Sequence, residues 1–334
     1  MHIEEFDYHL PQDAIAQHPA VPRDSCRLLV MDDRIRHHRF TDITGYLHEG
    51  DILVVNDTRV RHARIHARKD TGGKIELLVL GQENGAYRCM VKGRVREGTI
   101  VELPDGETAT VIRKNGGICH LDIPHGMEQL EALGEMPLPP YIKADLDAET
   151  KKRYQSVYAD EKGSIAAPTA GLHFTPELLD RIRHKGVTIA AVTLHVGIGT
   201  FMPIRGEHVE EHSMHREWYS IDDRAAEAIN RASGDVIAVG TTTIRALESA
   251  TTDGEVQSGE RSTDLYIYPG YRWQSPVTGM LTNFHLPQST PLLMVCAYAG
   301  RERIMRAYRE ALRQGYRFLS FGDAMYIRGA PCSR

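Results

Sequence analysis

The chain has 334 residues, 41% of them hydrophobic and 25% charged, which is room for two domains with packed cores and too apolar for intrinsic disorder. Its net charge of −5 lacks the basic footprint of a general nucleic-acid binder, but residues 61–125 hold eleven Lys and Arg against eight Asp and Glu, so that segment carries +3 and the remainder −8. Five cysteines (Cys26, Cys89, Cys119, Cys296, Cys332) stand far apart with no C-x-x-C pair, which excludes a zinc ribbon or a disulfide framework and fits a reducing compartment.

The chain opens on Met1-His2-Ile3-Glu4-Glu5-Phe6-Asp7, acidic and without an apolar core segment, and no apolar run reaches membrane-spanning length. The expectation is a soluble, cytoplasmic monomer with no membrane association and no obligate protein partner. Residues 51–56 read as a buried strand. From Arg61 to Asp122 the pattern is that of antiparallel strands: alternation at Arg64 to Arg68, an apolar run from Ile75 to Leu80, a strand from Cys89 to Val95, and a hairpin signal at Asn115-Gly116-Gly117. Two rows, Arg64/His66/Arg68 and Lys92/Arg94/Arg96, place their charges on one strand face by the two-residue period, as a phosphate-binding surface or as an ordinary solvated face. The prolines of Met136 to Tyr141 favour extended backbone and suit a stiff connection.

Beyond this insert, helices alternate with strands. Thr175 caps a helix with Pro176 in its first turn and Gly186 at its end, Leu178, Leu179 and Ile182 forming the buried stripe. Strands follow at 187–194 and 236–239, the second entering a helix through Gly240, and residues 292–312 give a late helix or helix pair. The fold class is therefore α/β (mixed α+β), with a larger body formed by both chain ends (residues 1–60 and 145–334) and an inserted small antiparallel β-barrel (residues 61–144).

Two stretches concentrate small residues, hydroxyls and a histidine, as backbone lying close to a ligand requires: Pro168 to Thr175 and Thr193 to Phe201. His173, His195, His215 and His285 lie in such dense motifs, and a neutral imidazole is the natural general base near neutral pH, although each also fits a satisfied core histidine. Gly197-x-Gly199 lacks the third glycine and the following helix of a dinucleotide site, with Pro203 close behind. Thr241, Thr242 and Thr243 at a strand-to-helix junction offer N–H groups and hydroxyls to a carboxylate or phosphate, or simply cap the helix. His208-Val209-Glu210-Glu211-His212 matches the H-x-x-E-H signature of a zinc hydrolase, which needs both histidines on one helix face.

The two dense stretches, in order with Asn56-Asp57-Thr58-Arg59, His212-Ser213-Met214-His215, Gly240 to Arg245, Thr282 to Pro287 and Phe321 to Met325, resemble the S-adenosylmethionine:tRNA ribosyltransferase-isomerase family of queuosine biosynthesis over nearly the whole chain. The resemblance implies transfer and isomerisation of the ribosyl moiety of S-adenosylmethionine onto 7-aminomethyl-7-deazaguanine at the tRNA wobble position, giving epoxyqueuosine, adenine and methionine. S-adenosylmethionine is consumed as a substrate and no metal is implied. On that scheme His173 or His195 is the base, with His215, Glu217 and His285 as acid or positioning groups. Asn56, Thr58, Arg59, Thr169, Gly171, Gly197, Gly199, Thr200 and Asn283 shape the substrate pocket, and Thr241, Thr242, Thr243 and Arg245 receive the methionine carboxylate. Arg64, Arg68, Lys92, Arg94 and Arg96 grip the tRNA near its anticodon loop, while Trp218, Tyr271 and Phe284 are aromatic candidates for stacking on the wobble base. Two departures stand out: Cys26 occupies a Ser position of the family and Pro291 an apolar one. Neither is expected to touch the histidine motifs.

Overall fold

In a computed structural model, which describes residues 1–197, 199, 204 and 206–332, the chain forms two compact units. One comprises Met1–Arg59, Pro140–Glu161 and Ala167–Arg334, the other Val60–Pro139 and Lys162–Ala166. Residues 162–166 join the second unit by backbone pairing, Arg61 N donating to Ser164 O at 2.9 Å.

The first unit is built on a nine-stranded mixed sheet. Its strands run in the order Gly259–Thr263, Glu217–Ile221, Thr188–Leu194, Ile52–Asn56, Val236–Val239, Gly279–Asn283, Ala324–Arg328, Arg27–Met31 and Ile35–Arg39. The central strands Thr188–Leu194, Ile52–Asn56, Val236–Val239 and Gly279–Asn283 are mutually parallel. Such strands are covered on both faces and read as continuous apolar runs, as Ile52 to Val55 does, with every residue of the strand buried through Asn56. The helix Pro176–His184 packs Leu178, Leu179 and Ile182 against Leu53, Val55, Ile237 and Val239. Thr175 caps it, accepting from Leu178 N at 3.1 Å. The late helical segment is a pair, Thr290–Ala299 with Pro291 in its first turn and Arg301–Arg313, divided at Gly300, whose φ of 86° a continuous helix does not accept.

The second unit is a closed six-stranded antiparallel barrel in the order Ile118–Asp122, Ala86–Lys92, Lys74–Glu83, Arg64–Lys69, Ile100–Glu102 and Thr108–Asn115. Ile65, Leu77, Val101, Val111 and Leu121 fill its interior. One expectation needs correction here. The Cys89 to Val95 strand stops at Lys92, because Gly93 takes φ 132° against the Ile75 side chain. Arg94 and Arg96 therefore lie beyond the strand, and the second basic row is not a strand face. In the first row Arg64 is half-buried, donating to Leu138 O at 2.7 Å and lying 3.4 Å from Glu76, while Arg68 is exposed.

Candidate active site

The parallel strands deliver the dense motifs to one edge of the first unit's sheet. Asn56 ends one strand, Leu194 ends another with His195 next to it, Gly240 leaves a third, and Asn283 ends the fourth. Ligands of open α/β sheets gather at such carboxyl ends. Asn56 is fully buried and spends its amide on the scaffold: Nδ2 donates to Leu194 O (3.0 Å) and Thr242 Oγ1 (3.1 Å), and Oδ1 accepts from Leu194 N and Thr58 N, both at 3.1 Å. It is a strut between three motifs.

Thr58, next but one along, holds His195, its Oγ1 lying 2.8 Å from Nδ1. Because the hydroxyl donates to Glu161 O at 3.4 Å, it accepts from Nδ1–H and places the accepting lone pair of His195 on Nε2. The imidazole stacks on Trp218 with centroids 4.7 Å apart and planes 23° from parallel. Asp57, between them, accepts from Thr193 Oγ1 at 2.7 Å, and burial raises its pKa.

Glu217 is buried beneath this cluster. One oxygen accepts from Gly197 N at 2.6 Å and the other pairs with the Arg245 guanidinium. A Cβ at Gly197 would stand 3.3 Å from that carboxylate, a tight contact that a larger residue would have to relieve by shifting Glu217. Arg245 also donates from Nε to Leu265 O at 3.1 Å, leaving Nη2 buried with no partner among the described residues. Arg245 lines an open cleft together with Thr241, Thr242, Met214, Thr290 and Met294. The helix Thr241–Ala250 begins at this cleft with no side chain capping its first turn, so free first-turn N–H groups stand at the cleft that Arg245 also lines. Thr243 does not line the cleft; it is fully buried and donates to Val239 O at 2.6 Å.

His173 lies in the short 3-10 helix Thr169–His173 with half-buried Thr169 and buried Gly171. It is itself 4% exposed. Its Nδ1 is 3.2 Å from Cys26 Sγ and its Nε2 is 3.3 Å from Asn283 Oδ1. The expectation that Cys26 stays clear of the histidine motifs is thus overturned: the strand Arg27–Met31 pairs with Ala324–Arg328, which itself pairs with Gly279–Asn283, and this brings Cys26 to the same sheet edge as Asn283. Asn283 is oriented in turn by donating from Nδ2 to Leu319 O at 3.0 Å, and Leu319 holds φ at 69°, a strained setting for a leucine. Burial pushes the His173 pKa down to about 4, partly opposed by the Asn283 bond. His285 is likewise driven down to about 3 by burial, with Nε2 2.8 Å from Thr282 Oγ1.

Other expected residues are placed differently. His215 is exposed and lies beside Gly199, where a Cβ would meet its ring at 3.0 Å. Arg59 is an exposed residue whose guanidinium donates to Ala159 O. Thr200 lies outside the described residues. Phe284 cannot stack on a nucleobase: it is fully buried against Tyr308, Tyr316 and Phe318. Tyr271 donates its hydroxyl to Glu248 at 3.0 Å. The zinc-hydrolase alternative fails on geometry, since Val209–Glu211 is a single 3-10 turn and places no two histidines on one helix face. His208 packs on His2 and His212 on Tyr266, and among the described residues no group of three or more His, Cys, Asp or Glu is arranged to hold a metal ion. No helix among them is long and apolar enough to cross a membrane.

The profile of the family described as Queuosine biosynthesis protein matches residues 3–327. A curated protein of Citrifermentans bemidjiense, named S-adenosylmethionine:tRNA ribosyltransferase-isomerase, is 48% identical over 341 residues, covering 98% of this chain and all of the relative. The crystal structure of a Thermotoga maritima protein, titled S-adenosylmethionine tRNA ribosyltransferase, is 35% identical with a TM-score of 0.57, the match covering 97% of this chain and 99% of that one.

Proposed function

Because the chain belongs to the queuosine biosynthesis protein family, we propose that it transfers and isomerises the ribosyl group of S-adenosylmethionine onto the aminomethyl group of 7-aminomethyl-7-deazaguanine at the tRNA wobble position, releasing adenine and methionine. The observation that carries this reading is one edge of the sheet: an imidazole held by Thr58 and Trp218 stands two residues before Gly197, whose amide is fixed by Glu217, the buried partner of the Arg245 that lines the open cleft.

The chemistry divides among these groups. The sulfonium acidifies the neighbouring C–H, and His195 Nε2 takes that proton, Thr58 and Trp218 fixing the direction of its lone pair. His173 is the poorer base, since both ring nitrogens are already engaged and burial makes the ring reluctant to protonate. Its part is to hold Asn283 in the nucleoside pocket. The cleft receives the methionyl end: Arg245 Nη2 and the first-turn N–H groups at Thr241 and Thr242 take the carboxylate, and Met214 and Met294 pack on the thioether chain. The Glu217 carboxylate keeps Arg245 in place rather than accepting the substrate proton. His215, exposed beside Gly199, assists adenine departure, and His285 holds Thr282. On the barrel, exposed Arg68 and Lys92 contact phosphates of the anticodon stem.

The test is chromatographic detection of adenine from S-adenosylmethionine, with and without tRNA bearing the aminomethyl-deazaguanine base. Adenine that appears only with the modified tRNA is expected; its absence with both substrates present refutes the reading.

A further inference from the structure

A second, shallow cleft in the first unit is lined by Arg23, Arg153, His173 and the segment Ser320-Phe321-Gly322. Two guanidinium groups share it. After burial, the charge of Arg153 is the next cause lowering the Arg23 pKa, so the two cations stand close enough to repel. Arg23 commits Nη1 to Gln155 O at 3.0 Å, while the Arg153 guanidinium has no hydrogen bond or ion pair among the described residues. The neighbouring carboxylates do not line the cleft: Asp147 caps its own helix through Thr150 N at 2.7 Å and feels the Arg153 charge without a hydrogen bond to it, and Asp24 accepts from Thr175 Oγ1 at 3.4 Å. The charges of Arg317 and Arg23 also reach His173, which sits neutral at the cleft wall.

Two half-buried like charges with most of their donors unspent cost free energy unless an anion meets them. Each guanidinium presents a planar fork of N–H donors that fits a tetrahedral oxyanion with two oxygens per fork. The carboxylate of S-adenosylmethionine is already assigned to the Arg245 cleft, which leaves the polyanionic substrate to supply this second anion. We propose that the Arg23–Arg153 cleft binds a backbone phosphate of the RNA substrate, beside the nucleotide being modified. In naming RNA as the source, this rests on the function proposed above. The cleft shares His173 with the nucleoside pocket, so a phosphate bound there holds its own nucleoside at the active edge of the sheet and, unlike the barrel contacts, positions the reacting base directly.

The test is fluorescence anisotropy of a labelled tRNA anticodon stem-loop with the full-length protein, titrated across a range of salt concentrations. For Arg153→Gln, affinity is expected to fall roughly tenfold and the slope of log Kd against log salt to drop by about 1, as for loss of one phosphate contact. Arg153→Lys restores the slope, because the charge returns, but only part of the affinity, because the fork does not. Wild-type slope and affinity in Arg153→Gln overturn the proposal while leaving the functional reading intact. Absence of RNA binding by the wild type instead overturns the functional reading on which the proposal stands. Inorganic phosphate alone is the remaining probe: saturation of the site by it without any effect on RNA binding would assign the cleft to a free anion and overturn the proposal.

Discussion

The thiol of Cys26 lies 3.2 Å from Nδ1 of His173, and the pair fixes the tautomer of that imidazole. Asn283 Nδ2 donates to Leu319 O, so its Oδ1 must face His173 and accept from Nε2–H. Nδ1 is then the acceptor and the thiol the donor, consistent with burial raising the Cys26 pKa and keeping it protonated. Cys26→Ala removes that donor and is expected to lower the rate of adenine release roughly three- to tenfold, the worth of one hydrogen bond. Cys26→Ser keeps an O–H in place and recovers most of the rate. Nitrogen-15 NMR of His173 checks the cause, showing a single tautomer in wild type and Cys26→Ser and a mixture in Cys26→Ala.

The Glu217–Arg245 pair is buried, with side chains 2% and 6% exposed. Removing one member leaves the other uncompensated, so Glu217→Gln is expected to cost about 3–5 kcal/mol in urea unfolding. Replacing both with apolar residues, Glu217→Leu with Arg245→Met, recovers much of that stability and abolishes turnover. A double variant as unstable as the single one would show that the pair is not the source of the loss.

His195→Ala tests the base directly. General-base catalysis is worth about 100- to 10,000-fold, and a loss of that order is expected in adenine release with the anticodon stem-loop still bound. A loss under tenfold would move the base elsewhere, and His173 would be the next residue to replace.

The two buried histidines make stability depend on pH. His173 and His285 have folded pKa values near 4 and 3 against an ordinary value of 6.5, so between those limits the unfolded chain binds more protons than the folded one. Their contribution is fully present above pH about 6.5 and is lost as pH falls toward 4, at up to about 1.4 kcal/mol per pH unit for each group. The melting temperature should therefore fall from pH 7 to pH 5. His173→Gln should flatten that fall, and an unchanged slope would remove His173 from the account.

Local signals made part of this molecule legible. Thr175-Pro176 and Gly186 bracket the helix Pro176–His184, Asn115-Gly116-Gly117 turns between the strands Thr108–Asn115 and Ile118–Asp122, and the apolar run at 236–239 is the strand itself. What stayed hidden depends on partners distant in sequence. Cys26 and His173 are 147 positions apart, and only the pairing of Arg27–Met31 with Ala324–Arg328 brings the cysteine to its histidine. The apolar run from Leu28 to Met31 was the available strand signal. Phe284 carries an aromatic ring of the right kind for stacking, yet nothing next to it in sequence foretells Tyr308, Tyr316 and Phe318 closing around it. The basic row at 92–96 obeyed the strand period by residue type, but Gly93 ends the strand.

The barrel is closed, whereas the nine-stranded sheet has two margins that pair with no further strand among the described residues. Along one runs Ile35-Arg36-His37-His38-Arg39 and along the other Gly259-Glu260-Arg261-Ser262-Thr263, whose first four residues are exposed. Unpaired backbone there is a template for a neighbouring molecule, and charge at every few ångströms makes that pairing unfavourable. The consequence is colloidal. Apolar replacements at Arg36, Arg39, Glu260 and Arg261 would leave the catalytic edge as it is and remove the charges that oppose side-by-side association of the sheets.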